Sequence, residues 1–83
     1  MTHSRESIRF LVQIPKREIV YLHGLLEAYE GLAVVRTIDP QQGIVELLTS
    51  PALVEEVEEV LKNIAVEIPL RIFERTATLH IGS

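Results

Sequence analysis

The stretch Leu32-Ala33-Val34-Val35-Arg36-Thr37-Ile38-Asp39-Pro40-Gln41-Gln42-Gly43-Ile44-Val45-Glu46-Leu47-Leu48-Thr49-Ser50-Pro51 decides the fold. Two apolar, β-branched runs flank a turn in which Pro40 presets φ and Gly43 permits a positive φ, which is hairpin chemistry. If Ile38 pairs with Ile44, then Arg36 faces Glu46 and Val34 faces Leu48 on one surface. Val35 with Leu47 and Thr37 with Val45 share the other. The Arg36–Glu46 pair marks the surface turned away from the helices. Ser50-Pro51 reads as N-cap and first helical residue, because a serine hydroxyl accepts from an orphan N–H and proline has no N–H to strand there.

On the C-terminal side, Leu53, Val54, Val57, Val60, Leu61 and Ile64 form one helical stripe. Glu55, Glu56, Glu58 and Glu59 lie off it as a solvated face, with Glu58 and Lys62 at a favourable i,i+4 spacing. Ile68, Leu70 and Ile72 make a last strand, and the alternation continues through residues 76–83 as an edge-strand extension or a tail. On the N-terminal side, Ile8, Phe10, Val12 and Ile14 alternate as a strand that Pro15 ends. From Lys16 to Glu30 the spacing is helical, with Ile19, Leu22, Leu25, Leu26 and Tyr29 inward and Gly31 at the C-cap. Val20, Tyr21, Gly24 and Ala28 form an apolar patch opposite, suited to a partner.

The order is therefore βαββαβ, an α+β sandwich with a four-stranded antiparallel sheet and two helices on one face. The open face should carry Arg9, Leu11, Gln13, Val34, Arg36, Ile38, Ile44, Glu46, Leu48, Arg71 and Phe73. That surface is too apolar for water alone, so a homodimer or higher homo-oligomer is expected, with Leu11, Val34, Ile38, Ile44, Leu48 and Phe73 at the interface.

Eighty-three residues allow a single domain, 1–83, with its core over about 7–75. A hydrophobic content of 47% and a charged content of 24% are those of an ordinary globular protein. The absence of cysteine excludes disulfides, thiolate metal sites and thiol catalysis. Glu55, Glu56, Glu58, Glu59 and Glu67 against Lys62 account for the whole net charge of −4. Arg5, Arg9, Lys16 and Arg17 are interleaved with core positions and lack an aromatic cluster, so nucleic acid is not an expected partner. No apolar run reaches the length of a membrane span and none forms a leader, so the expected location is cytoplasmic.

Chemistry is sparse. His3, His23 and His80 are far apart; His23, Glu27 and Glu30 share a helix face, more simply as a surface flank than as a metal site. There is no nucleophile elbow, no glycine-rich phosphate loop and no assembled acid–base pair, so no enzyme, cofactor or metal is expected. With the first and third strands as parallel neighbours, their ends would bring Gln13, Lys16 and Arg17 beside Thr49 and Ser50. Two helix N-termini would converge there on a small anionic ligand.

Over residues 7 to 75 the layout resembles the ferredoxin-like superfold, and within it the regulatory, amino-acid-sensing ACT-like domains. The loop Ile14-Pro15-Lys16-Arg17-Glu18 has the proline of their first strand-to-helix loop and lacks the glycine. Small bacterial domains without an assigned function look similar too. The resemblance implies a homo-oligomeric ligand-binding or regulatory module. A protein–protein docking domain using the open sheet or the first helix is the alternative, and an acylphosphatase-like hydrolase the third. Metal carriers of this fold need a Cys-x-x-Cys, RNA-recognition domains need aromatics on the first and third strands, and acylphosphatases need a glycine-rich anion loop with a positioned arginine and a helper asparagine. The chain has no cysteine, only Phe10 on those two strands, and a loop that offers Arg17 but lacks glycine, with Asn63 late in the second helix.

Overall fold

The computed structural model describes residues 4–81, and side chains from 6 to 77. Strand β1 (Ser4–Gln13) leads through a single 3-10 turn at Lys16–Glu18 into helix α1 (Ile19–Glu27). The hairpin of β2 (Val34–Asp39) and β3 (Ile44–Thr49) follows, then a 3-10 turn at Pro51–Leu53, helix α2 (Val54–Glu67) and strand β4 (Arg71–Ile81). The strands form one sheet in the order β2-β3-β1-β4, and each neighbouring pair is antiparallel.

Alternation decides what each strand buries. Ile8, Phe10, Val12 and Ile14 of the first run and Val45 and Leu47 of β3 meet Leu22 and Leu26 of α1 and Val54, Val57, Val60, Leu61 and Ile64 of α2 in one core. The α2 stripe is the one its spacing predicts. In α1 the stripe is shorter: Ile19 and Leu25 are partly buried and Tyr29 stands in solvent beyond the helix end. Glu58 is drawn off the solvated face: it accepts from Arg75 of β4 at 2.6 Å in place of the expected pairing with Lys62.

The hairpin register matches the symmetry about its turn at Val34↔Leu48, Val35↔Leu47, Arg36↔Glu46 and Thr37↔Val45. A bulge then makes Asp39, not Ile38, the partner of Ile44. The extra residue frees Asp39 to cap the turn, where its Oδ1 accepts from the backbone N–H groups of Gln41 and Gln42 at 3.0 and 3.2 Å. Ser50 holds the N-cap position with extended backbone, but its hydroxyl makes no capping bond; a 3-10 turn closed by Leu53 N–H to the Ser50 carbonyl opens the helix instead. No helix among the described residues is long and apolar enough to cross a membrane.

Gly43 fastens the hairpin to the central strand. Its φ is +71°, its carbonyl accepts from Ile14 N–H at 2.9 Å, and a Cβ there would lie 1.9 Å from the Ile14 carbonyl oxygen. Gly31 also has a positive φ, +76°, but faces open space. Gly43→Ala should therefore destabilise the domain well beyond the roughly 1–2 kcal/mol of left-handed strain expected for Gly31→Ala. Equal midpoints for the two variants in urea unfolding would contradict this account of the turn.

Candidate functional site

The five residues expected to form one anion site stand at opposite ends of the sheet. In the antiparallel β1–β3 register Gln13 faces Ile44 while Ile8 faces Thr49, so Gln13 and Thr49 are separated by about 17 Å of strand. The helix N-termini separate with them, because α1 begins beyond Gln13 and α2 beyond Thr49. At the first end Gln13 donates to the Gln42 carbonyl at 3.0 Å and accepts from Arg71 at 3.0 Å. Lys16 donates to Gln41 Oε1 at 3.2 Å, and Arg17 reaches out beside Glu18. At the other end Thr49 is buried and donates to the Leu32 carbonyl at 2.7 Å, while Ser50 is exposed. The convergence of Lys16 and Arg17 with Ser50 is thus corrected by strand direction.

Each end instead has its own cavity. One of about 630 Å³ lies between the first residues of β1 and the loops that follow α1 and β3, where Glu6 and Ser50 meet Leu32, Val34, Leu48 and Leu53. It exists because β1 continues past the end of β3: Glu6 and Ser7 form a wall with no β3 residue beside them. The second, about 560 Å³, is lined by Gln13, Ile14, Pro15, Ala65, Pro69 and Arg71. Both fall in the size range of small-molecule sites.

The open sheet face has a sealed centre and apolar margins. Glu46 is 4% exposed; its Oε2 accepts from Arg9 Nε at 2.7 Å and its Oε1 lies 3.1 Å from Arg36 Nη2. The Arg36 contact compensates charge without hydrogen-bond geometry, which leaves the buried Oε1 without a hydrogen-bond partner. Arg9 also approaches Glu74 at 3.5 Å. Beside Glu46, Leu11 is 7% exposed within a single chain, so it is a packed residue and not a free interface residue. Ile44 and Leu48 are half-buried, whereas Val34, Ile38 and Phe73 are exposed at the margins, Phe73 beneath the Arg71 guanidinium at 5.8 Å.

Sequence reasoning placed Arg36 beside Glu46 and treated the pair as exposed; the grip of Arg9 and the burial of Glu46 were missed. The available signal was Arg9 and Glu46 both at outward positions on adjacent strands. The role of Glu6 and Ser7 was missed too, though the matching alternation at the two chain ends hinted at long pairing. On α1, Val20, Tyr21, Gly24 and Ala28 are exposed as the sequence predicts, and Tyr21 donates to Glu67 Oε1 at 2.6 Å. His23 Nε2 lies 3.0 Å from Thr37 Oγ1, and no group of three His, Cys, Asp or Glu among the described residues could hold a metal. His3 lies outside the described residues, as does the side chain of His80.

A family model described as a domain of unknown function (DUF4911) matches residues 12–68, from the end of β1 to the end of α2. No curated protein and no solved structure matches the chain.

Two variants test the site's electrostatics. Glu46→Ala should destabilise the domain by roughly 1–3 kcal/mol, because it leaves two guanidinium groups facing each other over a buried position. Arg36→Ala, at a side chain 69% exposed, should cost less than about 1 kcal/mol, and the reverse order in chemical denaturation would refute the assignment. Separately, the hydrogen bond to the Glu67 carboxylate, and then its charge, hold the Tyr21 phenol above its ordinary pKa of 10.0. The contact's contribution is complete below that value and is lost as pH rises through the raised one. Ultraviolet titration of Glu67→Gln should bring Tyr21 back down; an unmoved midpoint would disprove the coupling.

Proposed function

The chain belongs to the DUF4911 family, and from its fold, its cavity and its exposed apolar margins we propose that it is a homo-oligomeric ligand-binding or regulatory module on a ferredoxin-like scaffold, without catalytic activity. The strand order β2-β3-β1-β4 with antiparallel neighbours supports that scaffold. The observation that carries the functional reading is the cavity of about 630 Å³, apolar along Leu32, Val34, Leu48 and Leu53 and polar at Glu6 and Ser50. Apolar walls with a few convergent polar groups are the ordinary make-up of a small-molecule site. Glu6 is the charged group in that lining, so the preferred ligand is apolar with one cationic or hydrogen-bonding group. The exposed margins Val34, Ile38 and Phe73 support association with further copies.

A second reading, a domain that docks another protein, is favoured by α1. Val20 there is 82% exposed, and Gly24 has nothing within 4 Å of the place a Cβ would take.

A thermal-shift panel of apolar amines, amino acids, nucleotides and simple anions tests the first reading. A ligand present at 100 times its Kd should stabilise the fold by about 2.7 kcal/mol. Apolar amines should shift the wild type, and Val34→Arg, at the exposed mouth of the cavity, should abolish the shift. No response to any member, or an undiminished shift in Val34→Arg, would overturn it.

A further inference from the structure

We infer that two copies of this chain join edge to edge along β4, antiparallel and centred on Thr76, so that two four-stranded sheets become one continuous sheet. The inference rests on the homo-oligomeric reading and names the surface through which the copies assemble.

The outer edge of β4 has no partner among the described residues, and at eleven residues β4 is nearly twice the length of β2, the other edge. Past the Ile8↔Ala77 pair, residues 4–7 and 78–81 continue as a two-stranded ribbon, with no third strand beside them among the described residues. A two-stranded ribbon is marginal in water, and a third strand is what it lacks.

The two edges also differ in protection. β2 is short, carries Arg36 and Asp39, bulges at Ile38 and runs into Pro40, all devices that discourage edge pairing. In β4 such devices stop halfway. Arg71, Glu74, Arg75 and the irregularity against β1 all lie in its first half. Thr76-Ala77-Thr78-Leu79-His80-Ile81 contains no proline, glycine, lysine, arginine or acid.

Register follows from charge. A two-fold axis normal to the sheet keeps every residue on its own face, so the axis must pass a residue and its own copy. Centred on Phe73, the axis falls on the irregularity against β1; centred on Glu74 or Arg75, it opposes that residue with itself. Centred on Thr76, the midpoint of β4, Glu74 faces Thr78, Arg75 faces Ala77 and Thr76 faces Thr76, each residue on its own face and with no like charges opposed. The irregularity around Phe73 leaves Glu74 to Thr78 as the regular centre of the ladder.

The cysteine-free chain makes the test direct. Directly opposed antiparallel residues have Cα atoms about 4.5–5.5 Å apart, within disulfide reach. Thr76 is exposed, so Thr76→Cys leaves the core untouched. Under mild oxidation it should give a covalent dimer on the order of tenfold faster than Glu74→Cys, whose two copies would stand about 13 Å apart along the ladder. Adding Thr78→Pro should abolish the difference. Equal rates for the two cysteine variants, with wild-type chain sedimenting as a dimer, would overturn the β4 interface and leave the homo-oligomeric reading standing. A monomer at tens of micromolar, with no preferential cross-link, would overturn both.

Discussion

The antiparallel pairing of β1 with β3, from Ile8↔Thr49 to Gln13↔Ile44, is the constraint on which the other features depend. It puts Glu46 next to Leu11 and within reach of Arg9, so the charged cluster closes over the middle of the open face. It brings the Gly43 carbonyl onto Ile14 N–H and so fixes the hairpin turn against the end of β1. It also sets where β3 stops, and the part of β1 that continues past it, paired only with β4 among the described residues, forms one wall of the larger cavity. A one-residue slip would turn Glu46 into the apolar layer and Leu47 into solvent, a double cost that makes the register stringent.

Local periodicity carried much of the fold. The stripe Val54, Val57, Val60, Leu61 and Ile64 and the pairing of Arg36 with Glu46 were readable because each depends on near neighbours in sequence. Strand direction was readable as well but demands a count of reversals: α1 returns the chain, β2 runs as β1 does, and the hairpin turns β3 back. The expectation of parallel neighbours missed that last turn, and the anion site joining Lys16 and Arg17 to Ser50 came apart with it. The burial of Glu46 was legible only in part: Arg9 and Glu46 stand at outward positions on adjacent strands, but the convergence of Arg9, Arg36 and Glu74 from three strands is set by tertiary pairing. The idle Ser50 hydroxyl was not legible, because a proline-started 3-10 turn can satisfy its own backbone without it.

In the proposed assembly, the open face and the strand edges divide the work of recognition. Ion pairing makes the face centre self-sufficient within one chain, which leaves apolar contact to its margins, Val34 and Ile38 on β2 and Phe73 on β4. In the proposed assembly, backbone recognition falls to the edge with least protection, the second half of β4. A continuous sheet through that edge would give the ribbon the third strand it lacks, while each larger cavity stays with its own chain.

The central claim, that β4 is an assembling edge, is tested most directly by residue-resolved amide hydrogen exchange at micromolar and millimolar chain concentration. The outward-pointing amides between Glu74 and Thr78 should become strongly protected as concentration rises, while those on the outer edge of β2 exchange at unchanged rates. Outer β4 amides that exchange equally fast at both concentrations would contradict it.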